Sequence, residues 1–220
     1  MLCFKCFEVN GEFCVGYFVQ FSFNLFKFKV ELKGMGKVQV KIENVVANAR
    51  IADELDLKYI EENLENAKFT KKRFPGLVYQ TRDPKAAFLI FRSGRVVCTG
   101  AKNEEDVRKA IDKLAAELRK LPNIGDKVPP HPEFKVQNIV ASADLKRELN
   151  IGAIVEGLGL ECMEYEPEVF PGLVYRLEEP KTAILVFSSG RLVITGGRTK
   201  EECERAVNIF VEKLKQLGVL

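Results

Sequence analysis

A tandem duplication constrains this chain more than any other feature of its 220 residues. The segment FPGLVYQTRDPKAAFLIFRSGRVVCTG, from Phe74 to Gly100, returns as FPGLVYRLEEPKTAILVFSSGRLVITG from Phe170 to Gly196, with 17 of 27 positions identical at a shift of 96. ENVVANA around Asn44 returns as QNIVASA around Asn138 at a shift of 94, so the second copy carries two extra residues before its FPG. Such a chain folds as two copies of one supersecondary unit, and any surface one copy makes is made twice. PNIGDKVPPHPE, from Pro122 to Glu133, holds four of the nine Pro and reads as a linker that neither a helix nor a central strand can cross. The organisation is therefore an extension over 1–34, a first repeat over 35–121, the linker over 122–133 and a second repeat over 134–220.

The same order of elements is predicted in each copy. A short strand, Val38 to Val46 or Phe134 to Val140, leads into a helical stretch with apolar residues at Ile51, Leu55, Ile60 and Leu64, matched by Leu145, Leu149, Ile154 and Leu158. Three or four short strands follow, punctuated by Pro75-Gly76, Asp83-Pro84 and Ser93-Gly94, and again by Pro171-Gly172, Glu179-Pro180 and Ser189-Gly190. A longer helix closes each copy. Asn103 is its predicted cap in the first, and Thr199 with Glu202 has the spacing of a capping box in the second. Val107, Ala110, Ile111, Leu114 and Leu118 form one apolar stripe, and Cys203, Val207, Phe210 and Leu214 the other.

The first 34 residues do not match this pattern. They hold eight of the 16 Phe and three of the six Cys, and the apolar run through Phe18, Phe21, Phe23, Leu25, Phe26 and Phe28 has no clean period. Glu8 and Glu12, with no small-residue cleavage site, exclude an ordinary signal peptide, and Lys27, Lys29, Glu31 and Lys33 leave no run of 18 apolar residues to span a membrane. Cys3 and Cys6 make one CxxC with Cys14 nearby, short of the four ligands a structural zinc needs and with no nearby His. The plainer expectation is translation beginning at Met35.

Charge and composition exclude more chemistry than they suggest. With 34 Lys and Arg against 31 Asp and Glu the net charge is +3, so a polyanion would be bound only by cations grouped on one surface. The single His131 removes two-His metal sites and most His-based catalysis, and the repeats contain no Gly-rich phosphate loop. No enzyme, cofactor, metal or disulfide is expected. Cys98, matched by Ile194, and Cys203 read as core.

In Ala87 to Phe91 and Arg95 to Thr99 both alternate sets are largely apolar, so neither sheet face is written for water. Two helices per copy cover one face. The other is either a binding surface or the seam of a sandwich in which the copies pack face to face. Recurrence favours the surface. Phe74 and Phe91 return as Phe170 and Phe187 with the same 17-residue spacing, Asn44 and Thr99 return as Asn138 and Thr195, and Arg95 and Lys102 return as Arg191 and Arg198. Each half thus offers two aromatics, an amide, a hydroxyl and a basic rim.

With FPGLVY twice, LIF-x-SGR and its partner, and QNIVAS, the chain from Lys37 to about Lys215 resembles the TATA-box-binding proteins in their archaeal form. The resemblance implies an α+β fold: two pseudo-symmetric repeats forming a curved, ten-stranded antiparallel sheet, a saddle, with four helices on its convex face. That class is itself a standard instance of minor-groove binding and kinking, so the mechanism is borrowed from it. It implies Phe74 with Phe91 and Phe170 with Phe187 as wedges. Asn44, Asn138, Thr99 and Thr195 would donate to the groove floor, and Val46, Val140, Val97, Val193, Leu89 and Leu185 would lie against bases and sugars. Lys72, Arg73, Arg95, Lys102, Arg176, Arg191 and Arg198 would hold phosphates, Gln80 standing in the first half where Arg176 stands in the second. The implied partners are double-stranded A·T-rich promoter DNA and a TFIIB-like factor at Glu166, Glu168 and Val169, where the first copy has Lys71-Lys72-Arg73. Through that factor comes RNA polymerase. A cytoplasmic, nucleoid-associated protein with no membrane contact is implied, and a homodimer of the DNA-free chain is left open. The acidic tail of many relatives is absent from the closing Leu-Lys-Gln-Leu-Gly-Val-Leu. The rival is a protein-interaction module using the same apolar face.

Overall fold

The two halves meet edge to edge. In the computed structural model, which describes residues 7–9, 12–14, 38–69 and 76–220, strands β3 (Val40–Arg50) and β8 (Phe134–Asp144) run antiparallel from Val40 opposite Ala143 to Ala49 opposite Phe134. Around them the first repeat adds β4 (Ala67–Phe69), β5 (Leu77–Arg82), β6 (Lys85–Ile90) and β7 (Arg95–Ala101), and the second adds β9 (Met163–Glu164), β10 (Leu173–Leu177), β11 (Thr182–Val186) and β12 (Arg191–Gly197). The order β4-β5-β6-β7-β3-β8-β12-β11-β10-β9 is one ten-stranded sheet that reads the same from both ends. This excludes the sandwich, because the copies continue one sheet instead of stacking two. Residues Met1–Lys37 form a separate unit in which β1 (Phe7–Val9) pairs with β2 (Glu12–Cys14). The Phe18 to Phe28 run, the Cys3 and Cys6 pair and the Met35 start lie outside the described residues.

Four helices cover one side: α1 (Leu57–Asn63), α2 (Glu104–Arg119), α3 (Ile151–Leu158) and α4 (Lys200–Gln216). The α2 helix packs on β3, β6 and β7, and α4 on β3, β8, β11 and β12. Both predicted stripes face the sheet: Val107, Ala110, Ile111, Leu114 and Leu118 are at most 1 % exposed, and Cys203, Val207, Phe210 and Leu214 are fully buried. Each large apolar side chain closed off this way contributes about 1.5–3 kcal/mol, so the helices are held by packing more than by propensity. Among the described residues no helix is long and apolar enough to cross a membrane.

Three sequence expectations need correction. The first strand of each copy runs on to Arg50 and Asp144, past Val46 and Val140, because β3 and β8 each pair on both sides and pairing outweighs the weak strand preference of Asn48 and Ala49. The helical stretch begins only at Leu57. Ile51 and Leu55 are buried from an irregular segment whose N–H groups donate to Gly94 and Arg92 carbonyls (2.9 and 2.8 Å), as Leu145 and Leu149 donate to Gly190 and Ser188 (3.0 and 2.8 Å). The approach is close enough that a Cβ on Gly94 (φ +70°) would sit 1.9 Å from the Ala52 carbonyl oxygen, and one on Gly190 (φ +79°) 2.0 Å from that of Arg147. The capping box is half formed. Thr199 Oγ1 accepts from the Glu202 N–H (3.2 Å), but the Glu202 carboxylate accepts from the Arg198 N–H (2.7 Å), one residue earlier than the box requires.

The linker is short of regular structure but packed. It makes one 3-10 turn at Gly125–Lys127 and buries Ile124 and Val128. Two arginines of α2 hold it: Arg119 donates to the Val128 carbonyl (2.7 Å), and Arg108 donates to that of Pro132 (2.6 Å) while lying over the Phe134 ring (4.5 Å).

Candidate nucleic-acid interface

Side chains directly opposite one another in an antiparallel pair project from the same side of the sheet. Leu89 faces Val97 and Leu185 faces Val193; Ala87 faces Thr99 and Ala183 faces Thr195; Val46 faces Asn138 and Asn44 faces Val140. All ten predicted groove-floor residues therefore share the face opposite the helices, while their neighbours Val96, Cys98, Leu192 and Ile194 are buried beneath α2 and α4. Nine of the ten are half-buried; Val46 is more enclosed, at 9 % exposed.

At the centre of each half the amide is locked. The Gly100 N–H donates to Asn44 Oδ1 (2.7 Å) and Asn44 Nδ2 donates to Thr99 Oγ1 (3.0 Å). In the second half the Gly196 N–H donates to Asn138 Oδ1 (2.7 Å) and Asn138 Nδ2 to Thr195 Oγ1 (3.2 Å). A backbone N–H can only donate, so it fixes which end of the amide points inward. Each Thr hydroxyl also lies within donating distance of the same amide oxygen (Thr99 to Asn44 Oδ1 3.2 Å, Thr195 to Asn138 Oδ1 3.4 Å), so the second Nδ2 hydrogen of each amide is what remains to donate outward. Two amide donors thus stand among the Val and Leu side chains of the floor. The sequence reading named the amides and hydroxyls but missed the glycine N–H groups that orient them; a Gly following each Thr was the available signal.

The aromatic pair is complete at one end. Phe170 and Phe187 are half-buried with centroids 5.8 Å apart and ring planes at 66°, an edge-to-face contact. Phe91 is half-buried at the matching place, while Phe74, Lys72 and Arg73 lie outside the described residues. Arg95, Arg191 and Arg198 are exposed along the rims.

Two acidic side chains that sequence reading passed over shape the cations of this face. Glu43 accepts from Ser142 Oγ (2.9 Å) and pairs with Lys41 (3.1 Å) and with Lys102 (3.7 Å); the Lys41 hydrogen bond first, then that of Ser142, holds its carboxyl below the usual range. Glu164 takes both Arg176 Nε (3.1 Å) and Nη2 (3.3 Å). Aligning the copies offers the clue, since Glu43 is matched by Gln137 and Glu164 by Lys68. Outside the sheet, Glu166 and Glu168 are exposed and Val169 is 80 % exposed, on a turn closed by the Val169 and Phe170 N–H groups donating to the Glu166 carbonyl (both 2.9 Å).

Nothing among the described residues gathers three metal-ligating side chains. A hollow of about 440 Å³ is lined by consecutive residues from Glu61 at the end of α1 to Lys68 on β4.

Comparison with known proteins agrees with this geometry. The family described as transcription factor TFIID (or TATA-binding protein, TBP) matches residues 39–121 and again 133–217. The TATA-box-binding protein of Methanothrix thermoacetophila is 59 % identical over 182 residues, 82 % of this chain and 98 % of that one. TATA-box-binding protein 1 of Methanosarcina acetivorans is 55 % identical over 186 residues, 84 % of this chain and all of that one. The solved structure of Methanococcus jannaschii TBP superposes with a TM-score of 0.72 at 47 % identity, covering 81 % of this chain and 99 % of that one. The saddle of two repeats is the fold observed.

Proposed function

The chain belongs to the TATA-binding protein family, and from that premise we propose that it is a transcription initiation factor, not an enzyme, that binds A·T-rich promoter DNA in the minor groove. The single observation that supports this most is the helix-free sheet face, whose Val and Leu floor surrounds two amides that matched hydrogen bonds hold with an N–H left to donate outward. An A·T pair shows only acceptors in the minor groove, adenine N3 and thymine O2, whereas a G·C pair adds the guanine amino group. Donors meet the first and leave the second unsatisfied.

Phe170 with Phe187 at one end, and Phe91 with Phe74 at the other, insert at base steps. Such wedges unstack DNA at about a few kcal/mol per step in proteins of this class, and flexible TA steps lower that cost. Arg95, Lys102, Arg191 and Arg198, with Lys72 and Arg73, hold phosphates along the rims, so affinity falls with salt. Glu166 and Glu168, with the apolar Val169 beside them, present an acidic turn to a TFIIB-like factor, which in turn brings RNA polymerase.

The test is titration of labelled A·T-rich and G·C-rich duplexes across a salt series, for the parent chain and for Phe74→Ala and Phe187→Ala. A preference for the A·T-rich duplex that both changes weaken is expected. Equal affinity for the two duplexes, untouched by either change, overturns the reading in favour of a protein-interaction face.

A further inference from the structure

We propose that Lys68 is a further phosphate-holding cation on the outermost strand of the first half, and that at the matching place in the second half Glu164 withholds Arg176 from the DNA. The inference rests on the DNA-binding reading above and adds a polarity to it. Register places both residues. Lys68 lies opposite Val78 and Glu164 opposite Val174, while Val78 and Val174 lie opposite Leu89 and Leu185 of the proposed groove floor. Lys68 and Glu164 therefore project from the same face on the two outermost strands, at equivalent positions.

Their neighbours one strand inward are exchanged as well. Gln80 on β5 is matched by Arg176 on β10, each opposite an alanine, Ala87 or Ala183. In the second half the guanidinium and carboxylate meet fork to fork, so this end carries no net charge from the pair, and the two charges satisfy each other. In the first half Gln80 is neutral and the exposed Lys68 has no carboxylate within 4.0 Å among the described residues. Glu61 on α1 accepts instead from the backbone N–H of the next residue, Phe69 (2.9 Å). Among the described residues the first end thus offers the Lys68 ammonium with no carboxylate beside it, where the second offers a closed ion pair.

Counterion release converts that difference into a measurement. Each phosphate neutralised by a cation contributes about −0.9 to the slope of log K against log salt on duplex DNA. With the full chain and one A·T-rich duplex, Lys68→Ala is expected to make the slope shallower by about 0.9 and to weaken binding several-fold at low salt. Glu164→Gln, which releases Arg176, is expected to steepen it by about 0.9, and Glu164→Gln with Arg176→Ala to return it to the parent value. A parent-like slope in Lys68→Ala, or no steepening in Glu164→Gln, overturns the proposal. A parent chain with no preference for the A·T-rich duplex instead overturns the DNA-binding reading itself, so the two failures are distinct.

Discussion

The centres of the two halves are nearly superimposable in their chemistry, and their ends are not. Asn44, Thr99 and Gly100 reproduce the bonds of Asn138, Thr195 and Gly196 to within a few tenths of an ångström. Outward from there, Lys68 and Gln80 answer to Glu164 and Arg176, and Lys71-Lys72-Arg73 answers to Glu166 and Glu168. Groups that read a feature common to every A·T pair have no reason to differ between copies, because the groove floor presents the same acceptors to both. Groups that tell one end of a promoter complex from the other must differ. Duplication supplied the first kind and divergence the second.

The largest expected effect tests whether the two ends wedge equally. Phe187→Ala removes half of the ring pair with Phe170 and, with it, the surface proposed to hold a base step open. A loss of about 2–3 kcal/mol, roughly 30- to 150-fold in affinity, is expected, and Phe91→Ala should match it within a factor of a few. Energy transfer between dyes at the duplex ends reads the bend at the same time. Weaker binding with an undiminished bend would mean that the rings only add contact area.

Next in size is the amide lock, where the halves should behave alike. Asn138→Asp keeps the shape and the acceptor for the Gly196 N–H but replaces the outward donor with a carboxylate oxygen. We expect about tenfold or more weaker binding to the A·T-rich duplex, and a smaller loss on a duplex with a central G·C pair, whose amino group now finds an acceptor. Asn44→Asp should do the same. If one substitution is harmless and the other severe, the pseudo-symmetric centre is not used symmetrically.

A smaller effect separates the ends. Reversing Glu166 and Glu168 to Lys makes the second turn as basic as the first. The binary complex with DNA should still form, while recruitment of a TFIIB-like factor, read by a mobility supershift, should fall about tenfold. Undisturbed recruitment would move the partner contact off this turn.

The centre was more legible in the sequence than the ends, for a physical reason. Recurrence exposed the Asn, Thr and Phe sets because each sits at the same offset in two copies, while the common face of the Asn and Thr residues came from strand register in the structure. The saddle itself came from resemblance; periodicity alone left the sandwich open until β3 was seen beside β8. Ion pairs such as Glu164 with Arg176 join residues 12 apart on neighbouring strands, and the Glu43 and Ser142 contact joins residues 99 apart, so neither has a local signature. Ile51 and Leu55 misled for the opposite reason. Their spacing fits a helix, yet a loop pinned by Gly94 buries them equally well.

The smallest predicted effect asks whether the cores behind the two faces are equally closed. Cys98 and Ile194 occupy matched strand positions, both at most 1 % exposed, and burial pushes the Cys98 thiol from its ordinary 9.0 up to about 12. In the unfolded chain that thiol loses its proton near pH 9.0 while the folded chain keeps it. Above that pH the folded state binds more protons, so this group's contribution to stability is full below 9.0 and is lost as pH rises toward 12. Cys98→Ile, which makes the first half like the second, should change stability at pH 7 by less than about 1.5 kcal/mol. It should also flatten the decline between pH 8 and pH 10.5 relative to the parent chain, measured by urea titration at each pH. Lysines and tyrosines titrate in the same window in both chains and cancel in the difference. An unchanged decline would mean that the Cys98 thiol ionises in the folded state, and hence that water reaches the layer between α2 and β7.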